Sequence, residues 1–539
     1  MRRRAQLLPP LPGACTRARA AGRRLAGGRR GRRVSRGFRV GLTEMRRFGV
    51  VSRGFAAAKA SKPAAAAATA EQKAAREEVA GLIARSKAAQ KEIEHYSQEQ
   101  VDRLIRGMVW SVCRPGVAEK IAQHTVDETR LGNYDGKYLK IFRKTRATLL
   151  DIISDKSVGV IEEDYARGLV KIAKPVGVIG ALAPSTNPEA TPVIKAISAI
   201  KGRNSIVIAP HPRAKLTNKL ICENMRDALR ALGAPEDLVL PIDSPSLIKT
   251  HELMAQCDRV LATGGTPMVL AAYSSGTPAI GVGVGNAVIT VDETADLDDA
   301  AEKIRISKTL DLAASCSSDN SLVVVDAVYE DLLSKLVKQG GYIVSKEDKT
   351  KLQGTIWEDG HLNVKIVAQP FEVIAKMSGI TGYPEGSKFF IVPETGTGPN
   401  YPFSGEKLSV TLTVYRAKNI KDAIKLTNKI QSYQGQGHSC GIYSRSKENI
   451  MQLANNTKTS RVMVNQPQAA SNSGNLWNGM RQTFSLGKSS VSPFSPPCSN
   501  SDSNSLSLPP LSLSHPCTRP QAAAAGGATA TTTTSHGAI

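Results

Sequence analysis

Between Val101 and Val109 the apolar residues Val101, Leu104, Ile105, Met108 and Val109 recur at i, i+3, i+4, i+7 and i+8, which lines one face of a helix. Ser97 and Gln100 precede them in capping-box order, so the helix is expected to start at that serine. From residue 157 the period changes. VGVIEEDYARGLVKIAKP alternates on either side of an acidic turn and predicts a hairpin over about 157–174. Short, nearly uncharged runs follow: VGVIGALAP, SIVIAP, DLVLPID, RVLATGG and PAIGVGVG, most of them separated by charged amphipathic stretches. Strands without a polar face are buried on both sides, as in the parallel sheets of α/β domains. A second series, SLVVVD, KFFIVPE, LSVTLTVYRA and SRVMVNQP, repeats the arrangement. Two sheet-centred lobes are predicted, over 71–290 and 291–465, with a closing segment at 466–488.

A chain of 539 residues is too long for one small core. Its 41% hydrophobic and 5% aromatic content suits an Ala/Val/Ile-rich α/β enzyme. No apolar run approaches the ~18 residues of a membrane span, so no membrane partner is expected. The net charge of +24 changes less than it promises. Residues 1–70 hold 18 Lys and Arg against a single acid, Glu44, so the charge is a terminal tag and argues against a nucleic-acid face on the folded domains. That Arg-rich, acid-poor composition is expected of a transit peptide to an organelle matrix, mitochondrion or plastid, with a disordered basic arm as the plainer reading. Met45 is an alternative start, because MRRFGVVSRGFAAAKA is a compact presequence by itself. Residues 489–539 are Ser/Pro/Ala/Thr-rich and are expected to be disordered. Eight scattered cysteines include no CxxC pair, so neither a disulfide framework nor a metal site is expected.

Nine residues carry candidate chemistry. Gly264 and Gly265 follow a strand and open a helix, where free N–H groups suit a dinucleotide phosphate or simply make a βα turn. Gly281, Gly283 and Gly285 suit close backbone approach to a ligand, or a strand bend. Asn187, in APSTNPEATP, stands just past a strand end, where an amide can donate to a developing oxyanion or serve an ordinary turn. Glu406 in PFSGEKLS and His438 in GQGHSCGIY are loop residues whose plain readings are a solvated carboxylate and a structural histidine. Cys316 lies in DLAASCSSDNS among small residues that either fill a core or leave a slot to the sulfur.

APSTNP, ATGG, GVGVGN, the Cys316 motif, PFSGEKLS and GQGHSCGIY occur in an order that resembles the aldehyde dehydrogenases, and in particular their CoA-acylating branch, over roughly residues 73–487. SCSSDNS, PFSGEKLS and VNQPQAASNSGN look most like the members acting on sulfoacetaldehyde. The acetaldehyde dehydrogenase half of bifunctional aldehyde/alcohol dehydrogenases comes next. The resemblance implies an α/β aldehyde dehydrogenase-like fold: a Rossmann-type cofactor domain, an α/β catalytic domain and a small hairpin used in oligomerisation, in a homodimer or homotetramer. It implies Cys316 as nucleophile, Asn187 as oxyanion donor and His438 as the base near the incoming thiol. Glu406 matches the position that holds the nicotinamide ribose, and Gly264, Gly265, Gly283 and Gly285 those near the dinucleotide. The implied cofactor is NAD or NADP, with coenzyme A as co-substrate and a small aldehyde as substrate, sulfoacetaldehyde first and acetaldehyde as the alternative.

Three departures matter. Hydrolytic relatives carry a water-activating Glu in an E-L-G-G stretch; here Gly281 and Val282 stand there, so a thiol is expected to take the acyl group. The family's cofactor-ribose Lys after the SIVIA strand is replaced by Pro210 and His211, which leaves NAD against NADP open. The family's closing C-G-T-W-G-G-N stretch is missing after TFSLG. A sulfonate needs cationic or amide donors, for which Arg481 and SNSGNLWNGM are candidates. From another class, a non-catalytic binding protein with a basic arm remains the rival reading.

Overall fold

Two parallel sheets, of five and seven strands, organise the chain. The computed structural model describes residues 69–459, 461–474 and 478–482. The expected basic arm (but for its last two residues), the 489–539 tract and part of the closing segment lie outside the described residues.

The helix Gln98–Cys113 starts at Ser97 with the capping box formed in both directions, and the whole predicted stripe is buried. The hairpin is also present, as antiparallel β1 (Gly159–Asp164) and β2 (Leu169–Ala173). The first sheet contains β3 (Val178–Ala183), β4 (Ser205–Pro210), β5 (Val239–Pro241), β6 (Arg259–Thr263) and β7 (Ala279–Val282). Its spatial order is β5-β4-β3-β6-β7, all parallel. The chain runs outward from β3 to one edge, then returns to fill the other side. Such a reversal opens a crevice at the carboxyl ends of the strands. Every residue of β3 and β4 is buried, which is why VIGALA and SIVIAP carry no polar face.

The second sheet contains β8 (Ala287–Val291), β9 (Asp319–Val325) and β10 (Gly341–Ile343). A two-strand ribbon, β11 (Trp357–Glu358) and β12 (His361–Leu362), intervenes before β13 (Phe389–Pro393), β14 (Thr411–Ala417), β15 (Cys440–Tyr443) and β16 (Val462–Val464). The order is β10-β13-β14-β9-β8-β15-β16. Because β8 pairs with β9 and β15, the chain changes sheets at residues 283–286, ahead of the boundary read at 290. Backbone contacts set that point. A Cβ on Gly285 would come 2.9 Å from Cys316 Cβ, and the Asn286 amide donates to the carbonyls of Ser404 (2.8 Å) and Gln434 (3.2 Å). Only a glycine fits the first contact, so the crossing is fixed beside Cys316.

Candidate active site

The ends of β3, β4, β6 and β7 open into one cavity of about 510 Å³. Each strand delivers a predicted residue to it: Asn187 after β3, Pro210 and His211 at the end of β4, Gly264 and Gly265 after β6, Gly283 after β7. Cys316 and Glu406 face them across the cavity. Gly285 and His438 are not in the wall but are bonded to it. Gly285 N–H donates to Glu406 Oε1 at 2.9 Å, and His438 Nε2 lies 3.3 Å from Cys316 Sγ. All ten predicted residues therefore converge.

Cys316 sits in a tight turn closed by Ser318 N–H donating to the Ser315 carbonyl (3.0 Å), with the Ser315 and Ser317 hydroxyls 2.8 Å apart. The thiol is partly exposed, unlike Cys113, Cys222, Cys257 and Cys440, which are buried. Burial pushes its pKa up to about 12; Glu406 adds to this and Lys140 opposes it. The sulfur is therefore a protonated thiol at rest, and a neighbouring base has work to do. His438, fully buried, is placed to do it. Its Nδ1 lies 2.9 Å from Ser439 Oγ, which leaves Nε2 toward sulfur. Its loop approaches because Gly435 (φ 86°) packs where a side chain would press Asn286 at 2.5 Å. The sequence expectation placed His438 by the incoming thiol; the structure places it against the nucleophile itself.

Asn187 is oriented by a group that sequence reasoning missed. Lys140 Nζ donates to Asn187 Oδ1 at 2.6 Å, and an ammonium has no lone pair, so the amide oxygen must face it. One Nδ2 hydrogen reaches Thr186 Oγ1 at 3.2 Å, and the other remains as a donor. Lys140 belongs to a buried set with Lys137, Glu189 and Asp311. Lys137 Nζ donates to Asp311 Oδ2 (3.0 Å) and the Thr186 carbonyl (2.6 Å) and lies 3.6 Å from Glu189; Lys140 pairs with Asp311 as well. Burial raises the Asp311 carboxyl, but the two ammonium groups outweigh it and hold its pKa below the usual value. For Glu189 burial wins and the pKa rises. Asp311, Leu312 and Ala313 have φ of 49°, 51° and 61°, an unusual left-handed run for non-glycine residues that leads straight to Cys316. The trace in the sequence was Lys137 and Lys140, one helical turn apart.

The glycine turn after β6 suits a dinucleotide phosphate. A Cβ on Gly264 or Gly265 would touch nothing closer than Met268 at 3.5 Å or Pro267 at 3.8 Å, so both backbones face open space at the start of the helix Thr266–Tyr273. His211, in the place of the family's lysine, has its pKa lowered by burial and by Arg213, and its Nδ1 accepts from the Arg213 N–H at 3.1 Å. Of the two residues standing in place of the hydrolytic carboxylate, Val282 lines the cavity and Gly281 does not. Arg481 is corrected: it pairs with Asp155 and donates to the Asp151 carbonyl at 2.7 Å, away from the cavity, because those acidic groups on the 146–155 stretch meet it first. Ser473, from the Asn-rich stretch, does line the cavity.

The aldehyde dehydrogenase family profile matches residues 55–363. A sulfoacetaldehyde dehydrogenase from Acholeplasma sp is 44% identical over 414 residues, covering 76% of this chain and 85% of its own length. A succinate-semialdehyde dehydrogenase (acetylating) from Clostridium kluyveri is 38% identical over 407 residues, covering 75% of this chain and 89% of its own. The crystal structure of an acetylating aldehyde dehydrogenase from Geobacillus thermoglucosidasius superposes with a TM-score of 0.75 at 35% identity, covering 78% of this chain and 93% of that one. With a profile spanning more than half of its length and relatives matched along most of theirs, the chain belongs to the aldehyde dehydrogenase family, in its CoA-acylating branch.

Proposed function

We propose that this enzyme oxidises sulfoacetaldehyde, with Cys316 as nucleophile, and passes the acyl group to coenzyme A. Membership of a catalytic branch removes the ground for a non-catalytic binding protein. The observation that carries the chemistry is the 3.3 Å contact between His438 Nε2 and Cys316 Sγ in a cavity whose wall offers Val282 and no carboxylate at that position.

His438 takes the thiol proton as sulfur adds to the aldehyde carbon. The resulting oxyanion is held by the remaining Nδ2–H of Asn187, kept in place by Lys140. Gly264, Gly265, Gly283 and Glu406 would hold NAD(P)+, which would supply the hydride acceptor needed to leave a thioester on Cys316. Val282 puts no carboxylate where the hydrolytic relatives carry their water-activating glutamate, so the thioester waits for a thiol. His438 first gives the proton it took from Cys316 to solvent; it then takes the proton of the CoA thiol as the CoA sulfur attacks the carbonyl carbon, and returns it to Cys316 once that sulfur has left as thiolate. The sum is aldehyde, CoA and NAD(P)+ giving acyl-CoA, NAD(P)H and a proton.

Sulfoacetaldehyde is favoured by the relative at 44% identity and by the motifs around Cys316 and Glu406. Acetaldehyde is the second reading, favoured by the likeness to an acetylating enzyme at 35% identity. NAD(P)H formation with each aldehyde, with and without CoA, tests both. CoA dependence and a higher kcat/KM for sulfoacetaldehyde are expected. Equal rates without CoA would overturn the acyl transfer, and faster acetaldehyde turnover would overturn the substrate.

A further inference from the structure

We propose that Asn320 and Gln434 are positioning residues for the reaction, which together hold Glu406 in register with Cys316 and His438. The inference goes beyond the reading above, and one arm of its test rests on the assignment of Glu406 to the cofactor.

Glu406 stands in a stretch without helix or strand, between the turn Pro402–Ser404 and β14, so its backbone must find partners elsewhere. Side-chain amides supply them. Asn320 Nδ2 donates to the Gly405 carbonyl at 2.7 Å, and Asn320 Oδ1 accepts from the Lys407 N–H at 3.2 Å. One amide thus grips the chain on both sides of Glu406. Gln434 Oε1 accepts from the Glu406 N–H itself at 2.9 Å. A Cβ on Gly405 would come 2.8 Å from that oxygen, so glycine leaves the path open. With the Gly285 N–H donating to Glu406 Oε1, the carboxylate is directed along with its backbone.

The same amides reach the two residues that exchange the thiol proton. Asn320 is the second residue of β9, just after the turn that presents Cys316. Its other Nδ2 hydrogen goes to Asn286 Oδ1, and Asn286 Nδ2 donates to the carbonyls of Ser404 and Gln434. Gln434 opens the loop to His438, whose N–H donates to the Gly435 carbonyl at 3.1 Å. Asn286 and Asn320 are both buried, and each uses its two amide hydrogens and its oxygen. A buried network satisfied at every member specifies one arrangement, and removing a member leaves the others unpaired. Aspartate would fill the same space but could not donate to two oxygens. The strands bring Cys316 and His438 together, whereas Glu406 lies outside β14 and depends on the amides.

The test is a double-variant cycle in steady-state kinetics. Asn320→Ala should raise KM for NAD(P)+ about tenfold while KM for the aldehyde stays within about twofold. A purely structural role moves both constants, so an equal rise in the two would overturn the proposal. Adding Asn320→Ala to Glu406→Gln should lower kcat/KM no more than about twofold below Glu406→Gln alone; costs that multiply would show that the side chains act apart. Gln434 is half-buried at the end of the helix Ile420–Tyr433, so Gln434→Met should fold even where Asn320→Ala does not. It should give the same selective rise, about threefold or more, and no rise counts against the inference. If Glu406→Gln raises KM for NAD(P)+ and the amide variants do not, the positioning fails and the cofactor role of Glu406 stands. If Glu406→Gln leaves that KM unchanged, yet shares its loss of kcat with Asn320→Ala, the cofactor role fails and the positioning stands.

Discussion

Lys140 Nζ lies 2.6 Å from Asn187 Oδ1, and the same ammonium pairs with Asp311, the residue that begins the left-handed run into Cys316. One buried cation thus holds both the amide that would receive an oxyanion and the backbone that presents the nucleophile. Removing it should disturb electrostatic stabilisation more than substrate binding. Lys140→Met is expected to lower kcat about 100-fold with a smaller change in KM, as loss of one oxyanion donor does. Asn187→Ala should cost a similar factor, and the double variant little more than either alone. Multiplying costs in steady-state kinetics would show that the two side chains act separately. The variant also leaves Asp311 and Glu189 with one cation between them, and chemical denaturation should report a loss of about 3–5 kcal/mol.

The Cys316 thiol should titrate late. Burial raises its pKa to about 12, reinforced by Glu406 and offset in part by Lys140, so the thiolate is the minor form across the neutral range. For a group raised above its ordinary value, the thiolate fraction still climbs with pH well past neutrality. Alkylation of Cys316 by iodoacetamide in the ligand-free protein should therefore quicken roughly tenfold per pH unit from 7 to 10. Peptide mapping separates it from the four buried thiols. A plateau near pH 8 would show a stabilised thiolate instead.

His438 touches Cys316, which makes its two roles separable in time. Because it takes the Cys316 proton in the first step, His438→Ala should form NAD(P)H about 100-fold or more slowly with no burst, whereas a burst of one NAD(P)H per subunit would confine the histidine to the CoA step. In that event mass spectrometry should find the acyl group on Cys316.

Gly285 has no room to change. A Cβ there would run into the Cys316 carbonyl and sit 2.9 Å from Cys316 Cβ, and neither can yield without moving the nucleophile. Gly285→Ala should abolish turnover and lower the melting temperature, whereas Gly354→Ala, which meets nothing within 4 Å, should be silent in both assays.

Much of this site was legible because its residues follow strands. Asn187, Gly264 and Gly283 are found by locating an uncharged β-branched run and reading what comes next, since parallel sheets bind ligands at that end. Cys316 and His438 were found by motif, but their contact was not, because 122 residues separate them and only the folding of β8, β9 and β15 side by side brings them together. Lys140 and Asp311 were invisible for a different reason. A lysine on an amphipathic helix reads as solvated, and nothing local announces that its partner lies 171 residues away. The same limit misplaced Arg481, a cation that found Asp155 before it found any substrate.

Val282 offers the sharpest test of why acyl transfer goes to a thiol. It lines the cavity beside Cys316, whereas a side chain on Gly281 would meet Val269 at 2.6 Å and Tyr273 at 3.0 Å, so only position 282 can accept a carboxylate. A glutamate there would face the thioester with a base able to activate water, a contribution of about 100-fold or more when well placed. Val282→Glu should therefore raise NAD(P)H formation without CoA at least tenfold over wild type. The free acid should appear at the expense of acyl-CoA when both products are quantified. An unchanged product ratio in a folded variant would mean that water is excluded by some other part of the wall, and that the missing carboxylate is a consequence of thiol chemistry here rather than its cause.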